Sequence, residues 1–220
     1  MNGILLIISI FLVFGIEIAL EKIFKKEAMF IWVPFALITA NILTAKNIDL
    51  FGLSTTMGTL MFASVYLATD ILNEKYSKED SKKALNIGII ILILFTVITQ
   101  ASLLFKPNSF DFVNDSLKEL FSINLRITIS SIVMCYLSNL LDIHLFTKIK
   151  EITQGKMLWL RNNVSTIICN CIENYLFIFF AFIGIYDLKT VLIIATTTSI
   201  IECVIAICDT PFLYLSKKLS

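Results

Sequence analysis

Seven apolar runs, near residues 4–20, 29–45, 54–72, 84–105, 123–145, 163–185 and 190–213, follow one another with only short charged connections between them. A helix that crosses a bilayer needs about 20 mostly apolar residues. In lipid every backbone N–H and C=O must be satisfied within the segment, so runs of this kind fold as helices. The pattern predicts an all-α fold, a polytopic transmembrane helical bundle of about seven spans, with residues 1–220 forming a single integral membrane domain. The second run is short and holds Pro34 and Asn41, and a kinked or re-entrant segment there would reduce the count to six. Composition points the same way: 57% of the 220 residues are hydrophobic and 16% charged, against roughly 45–50% and about 25% in soluble domains. A net charge of +1 supplies no field to recruit nucleic acid.

The basic residues test the topology independently, because short cytoplasmic loops are enriched in Lys and Arg. Lys22, Lys25 and Lys26 follow the first run, Lys75, Lys78, Lys82 and Lys83 the third, Lys148, Lys150, Lys156 and Arg161 the fifth, and Lys217 and Lys218 the last. The alternate connections hold only Lys46, Lys106, Lys118 and Lys189, with Arg126 just inside the fifth run. This alternation predicts an outside N-terminus and a cytoplasmic C-terminus in a multi-pass protein of the cell membrane. The first run lacks a basic stretch before it and a small-x-small cleavage site after it, so an uncleaved helix is expected. All five cysteines lie inside apolar runs without CxxC spacing, and His144 falls near a helix end. Neither observation points to a metal, a disulfide or a cofactor.

Ionisable groups at bilayer depth cost several kcal/mol unless they face protein, water or a ligand, so they are the main pointers to function. In the third run Asp70, Asn73 and Glu74 stand at i, i+3 and i+4, on one helical face. In the sixth, Asn163, Thr166, Asn170, Glu173 and Asn174 draw a polar stripe about three turns long. In the seventh, Thr198, Glu202 and Asp209 share a face, and Pro211 marks a helix stop or kink. Glu173 and Glu202 are deep enough to need a partner, for which Arg126, Arg161, an amide or a ligand are candidates. Asp70 and Glu74 could instead reach headgroups beside Lys75, and Ser130, Thr166 and Thr198 read as helix-to-helix contacts.

Taken together, Asn41, Ala45-Lys46, Phe51-Gly52, Gly58, the block Thr69-Asp70-Ile71-Leu72-Asn73-Glu74-Lys75-Tyr76 and Gly88 resemble the queuosine-precursor transporter family, also called the VUT family. Arg126 with Ser130, Tyr136, Asp142 and Phe146, then Trp159-Leu160-Arg161-Asn162-Asn163-Val164-Ser165-Thr166 leading to Glu173, extend the resemblance over about residues 41–183. Two positions depart from the family pattern: Ser77 stands where Gly is expected, and Glu173 where Asp is expected. The resemblance implies import of 7-deazaguanines, namely the cyano and aminomethyl precursors or queuine, for tRNA modification, and a carrier rather than an enzyme. Polar spacing, depth in the bilayer and the resemblance together give the expected substrate-binding set Glu173, Asn163, Asn170, Asn174, Asp70, Asn73, Glu74, Arg126, Arg161 and Glu202. A carboxylate such as Glu173 can accept the N–H and amino donors of a guanine-like edge, while amides satisfy its carbonyl. Tyr66, Tyr136, Trp159 and Phe177 are available to stack on the base.

In the leading mechanism Asp70 and Glu74 form a cytoplasmic gate or proton site, with Glu173 and Glu202 lining a site at the midplane. One alternative is the substrate-binding subunit of an energy-coupling-factor transporter, docking coupling subunits through the small pair Gly15 and Ala19; energy-coupling subunits or a second copy of the chain, in a homo-oligomer, are the partners expected. A second alternative is an intramembrane enzyme using a carboxylate pair drawn from Asp70, Asp142, Glu173 and Glu202. A purely structural role would leave the chain without a solute.

Overall fold

The computed structural model describes residues 2–50, 53–121, 125–182, 184 and 187–219, without the side chains of 47, 53, 54, 125–128, 181 and 182. Its elements run α1 (Asn2–Leu43), β1 (Asn47–Leu50), β2 (Leu53–Thr56), α2 (Thr59–Lys75), α3 (Lys78–Ser102), α4 (Asn114–Phe121), α5 (Leu125–Ile152), α6 (Leu158–Phe182) and α7 (Leu188–Lys218). Five helices, α1, α3, α5, α6 and α7, are long and apolar enough to cross a membrane. The first two apolar runs both lie in α1, which breaks at Lys25, where φ is 55° and ψ −141°. Pro34 is the kink site expected from sequence, yet the helix continues through it to Leu43; the break falls instead in the charged stretch Lys22 to Glu27, at the junction of the two runs. Pro211 likewise sits inside α7, which runs on to Lys218.

The third run departs furthest from expectation. Its first residues form β2, which pairs antiparallel with β1 in the register Asn47 to Thr56 through Leu50 to Leu53. Only then does α2 begin. It has 17 residues, about 26 Å of helix, and nearly all of it from Thr59 to Asn73 is buried. Helices α1, α3, α5 and α7 surround it. The outer helices turn Ile4, Leu5, Ile8, Phe11, Ile98 and Ile200 outward, as a lipid-facing surface requires. A buried apolar core of Phe14, Val33, Leu37, Leu67, Ile71, Leu85, Ile143 and Leu213 joins α1, α2, α3, α5 and α7.

Two glycines of the family-like pattern permit close approach. A Cβ on Gly88 of α3 would stand 2.7 Å from Val33 Cγ1 and 2.9 Å from Leu37 Cδ1 of α1. One on Gly58 would collide with Thr44 Oγ1 and the Ala40 carbonyl. Phe51 and Gly52 lie outside the described residues. Ser77, in extended conformation at φ −148°, caps α3 by accepting the Asp80 N–H at 3.0 Å.

Side-chain contacts sort the connections to the two ends of the bundle. Lys26 pairs with Asp80 at 3.5 Å, Lys75 with Glu21 at 2.8 Å and Lys217 with Glu74 at 2.5 Å, gathering the lysine-rich connections at one end. At the other end Asn2 Nδ2 donates to the Asp49 carbonyl at 3.0 Å, beside the hairpin. The two ends of the chain therefore lie at opposite ends of the bundle.

Candidate functional site

Polar residues on α2 recur one turn apart: Tyr66, Asp70, then Asn73 and Glu74. Because i and i+4 share a helical face, these residues present three polar tiers to α5, α6 and α7. Each tier has a different chemistry.

The first tier joins α2, α5 and α6. The Tyr66 hydroxyl donates to Glu173 Oε2 at 2.7 Å and lies 2.6 Å from Ser138 Oγ. Ser138 also comes within hydrogen-bonding reach of Glu173. One residue on, Asn174 Nδ2 donates to Glu202 Oε2 of α7 at 2.5 Å. Tyr66 and Asn174 are buried, whereas Glu173 and Glu202 remain half-buried. The tier thus presents two carboxylates that neutral donors hold in place, with no cation quenching either one among these contacts.

The second tier lies one turn further along α2. Asp70, Asp142 of α5 and Asp209 of α7 are each fully buried, and so is Glu17 of α1, which acts electrostatically with Asp209. Thr166 Oγ1 donates to Asp142 Oδ1 at 3.2 Å, and Asn162 Nδ2 to Asp209 Oδ1 at 2.6 Å. The carboxyls of Asp70 and Asp142 are electrostatic neighbours, and neither oxygen of Asp70 meets a donor among the described residues. This pair is the carboxylate juxtaposition that an intramembrane hydrolase would need, but both groups are sealed at 0% exposure and offer no access to a substrate.

The third tier closes the basic end. Glu74 receives Arg161 Nη2 at 2.5 Å from α6, Lys150 Nζ at 3.1 Å from α5 and Lys217 Nζ at 2.5 Å from α7. Arg161 is wholly buried; it also donates to the Gly155 and Lys156 carbonyls and stands over the Phe146 ring. Beside it, Glu21 of α1 accepts Lys75 Nζ and the Tyr76 hydroxyl, the latter at 2.9 Å, and Lys75 also donates to the Ser216 carbonyl. Burial, followed by the hydrogen bond to Glu21, pushes the Tyr76 phenol above its usual range, so it remains a donor. Asn73 donates to Thr147 Oγ1 at 2.9 Å and to the Ile143 carbonyl. Contacts from α1, α2, α5, α6 and α7 converge here.

The expected site residues therefore separate. Glu173, Asn174 and Glu202 come together, and Asn170, on the same stripe, is buried. Asn163 turns instead to Thr210 of α7 at 2.8 Å and to the Trp159 carbonyl, a helix-to-helix contact. Arg161, a candidate partner for the deep acids, is spent on Glu74. Asp70 is buried inside the bundle, so the headgroup alternative fails for it. The side chain of Arg126 lies outside the described residues. Among the stacking candidates, Tyr66 contributes its hydroxyl to the site, while Tyr136 donates to Asn86 Oδ1 at 2.9 Å. Sequence alone does not single out Ser138 or Glu21; no local spacing marks them, because the acid and the donors they meet lie 35 or more residues away along the chain. Gly15, a candidate for docking, meets no other atom within 4 Å at the position of an added Cβ.

A family model described as "Putative vitamin uptake transporter" matches residues 56–216. A curated protein described as "Probable queuosine precursor transporter", from Bacillus subtilis (strain 168), is 33% identical over 207 residues, covering 94% of this chain and 90% of that protein. No solved structure matches. The family resemblance read from the block Thr69 to Tyr76 and the segment Trp159 to Thr166 is borne out, and with it a multi-pass membrane protein of a transporter family.

Proposed function

The chain belongs to the family described as "Putative vitamin uptake transporter", and from that premise we propose that it imports 7-deazaguanine precursors of queuosine across the cell membrane. The observation that carries this reading is the first tier. Two half-buried carboxylates, Glu173 and Glu202, are braced by the neutral donors Tyr66 and Asn174. A 7-deazaguanine offers adjacent ring N–H and exocyclic amino donors, which a braced carboxylate accepts with good geometry. Glu173 is the acceptor, and Glu202 and Asn174 complete the polar wall. Because the brace is uncharged, no salt bridge competes with the substrate for Glu173.

In this reading both halves of α1 cross the membrane, which with α2, α3, α5, α6 and α7 gives seven crossings. The lysine-rich end faces the cytoplasm, as the positive-inside rule requires, and the N-terminus lies outside. The third tier is then a cytoplasmic gate around Glu74, closed in this conformation, and transport alternates its opening with access to Glu173 from the other side.

The deciding experiment is uptake of cyano-deazaguanine, aminomethyl-deazaguanine and queuine into cells that cannot make queuosine and carry only this gene, read as queuosine in tRNA. Uptake by the chain alone is the expected result. Uptake that requires added energy-coupling subunits would replace the self-sufficient carrier with the subunit reading, for which the open face at Gly15 offers a docking surface. Glu173→Gln is expected to lower uptake at least tenfold, about 1.4 kcal/mol of recognition. Unchanged uptake in that variant would remove Glu173 from the site.

A further inference from the structure

The second tier plays no part in holding the base, yet it concentrates four carboxyls from four helices: Glu17, Asp70, Asp142 and Asp209. Both oxygens of Glu17, both of Asp70, Asp142 Oδ2 and Asp209 Oδ2 receive no hydrogen bond from any amide, hydroxyl, ammonium or guanidinium among the described residues. Four ionised carboxylates at this depth, two of them with one neutral donor each, would repel one another and each would cost several kcal/mol. Something positive must therefore enter the tier.

Three candidates can supply that charge. The first is a side-chain cation, of which the surroundings hold one among the described residues. Among the groups facing Asp70, α5 contributes Asp142, α7 contributes Asp209, and α1 contributes Glu17 beyond it; α6 contributes Arg161 and the Cys169 thiol. From α3 the nearest polar group is the Ser81 hydroxyl, which is spent on the Thr69 carbonyl at 2.7 Å. Arg161 acts on Asp70 electrostatically, but its hydrogen bonds go to Glu74, Gly155 and Lys156. The second candidate is a metal ion, and no group of three or more acidic, His or Cys side chains among the described residues is arranged to hold one. The third is a proton, which neighbouring, fully buried carboxyls whose oxygens meet no other donor can hold between them. Two carboxyls are both acceptors when ionised and hydrogen-bond each other only by sharing a proton.

We propose that Asp70 and Asp142, backed by Asp209 and Glu17, form a proton-binding site that couples transport to the proton gradient. The placement makes the coupling direct. Asp70 lies one turn from Tyr66, which braces Glu173, and one turn from Glu74, which anchors the gate. Asp142 lies one turn from Ser138 on α5. Movement of α2 against α5 that opens the gate must also part the two carboxyls, so the proton they share leaves to cytoplasmic water as the substrate does. The pair returns outward without its proton and takes up the next one from outside together with the next substrate, so one proton crosses inward in each cycle.

This inference rests on the transport reading, and its test separates the two. Purified protein in liposomes is assayed for exchange of labelled cyano-deazaguanine and, separately, for net accumulation driven by an imposed pH gradient. Support is accumulation that follows the gradient in the native protein and is lost in Asp142→Asn, while exchange survives. An asparagine there can still donate to Asp70, so the helix contact is kept while the shared proton is removed. Exchange without any response to the gradient in the native protein overturns the proton site and leaves the carrier intact. If the native protein does not exchange the substrate at all, the substrate reading falls, and infrared spectroscopy decides the proton site. A protonated-carboxyl band present at neutral pH and lost in Asp142→Asn supports it; absence of that band overturns it.

Discussion

Glu74 and Arg161, 87 residues apart in sequence, meet at 2.5 Å inside the basic end of the bundle, with the guanidinium fully enclosed. Removing one member of such a pair leaves an uncompensated buried charge, which is costlier than never having had the pair. Glu74→Gln is expected to destabilise the protein by about 3–5 kcal/mol. The double variant Glu74→Gln/Arg161→Met is expected to recover part of that loss. Thermal unfolding of the purified variants in detergent checks both, and a double variant no more stable than Glu74→Gln would show that the pair is not the source.

Tyr66 serves Glu173 through its hydroxyl rather than its ring face. Tyr66→Phe keeps the packing but removes the hydroxyl that donates to Glu173. Substrate affinity is expected to fall by about tenfold, or 1.4 kcal/mol, with little change in the amount of folded protein. Titration of 7-deazaguanine binding against the native protein measures this, and unchanged affinity would indicate that the ring, not the hydroxyl, is what matters.

Close approach of α1 and α3 depends on Gly88. A leucine there would have to displace Val33 and Leu37, which already press on the position of its first carbon. Overpacking of this kind costs typically about 1–3 kcal/mol. The midpoint of unfolding for Gly88→Leu is expected to drop accordingly, while the same change at Gly15, which has open space around it, leaves the midpoint unmoved.

Cys171 of α6 and Cys203 of α7 are free thiols and electrostatic neighbours across the packed helices. A mild oxidant is therefore expected to link them into a disulfide within one chain, visible by mass spectrometry as a crosslinked peptide joining the two helices. Failure to form that link, with both thiols reactive, would contradict the packing of α6 on α7.

The hydropathy of the chain makes the long helices legible, because each buries its backbone polar groups on its own and needs no partner to be recognised. The spacing of Asp70, Asn73 and Glu74 likewise shows that one face of α2 is polar. It cannot show that this face splits into tiers with separate chemistries, since Glu173 finds Tyr66 across 107 residues and Glu74 finds Lys217 across 143. The hairpin is hidden for a related reason. Residues 54–56 continue into an apolar stretch that reads as helix, and only pairing with Asn47–Leu50 makes a strand of them. The break at Lys25 rather than Pro34 escapes a sequence reading because the proline signal is local, whereas the break is fixed by two halves of α1 packing on different neighbours.

The burial of α2 also constrains how the protein is made. Its polar face carries Asp70, Asn73 and Glu74, and the groups that cover them, Asp142, Thr147, Arg161 and Lys217, are all synthesised later. A nascent α2 cannot settle alone among acyl chains with that face exposed, so it must be retained at the site of insertion until α5 and α6 arrive. The contact from Ser216 back to Glu21 at 3.3 Å spans 195 residues. Assembly of the bundle is therefore completed only when the last turn of α7 has left the ribosome.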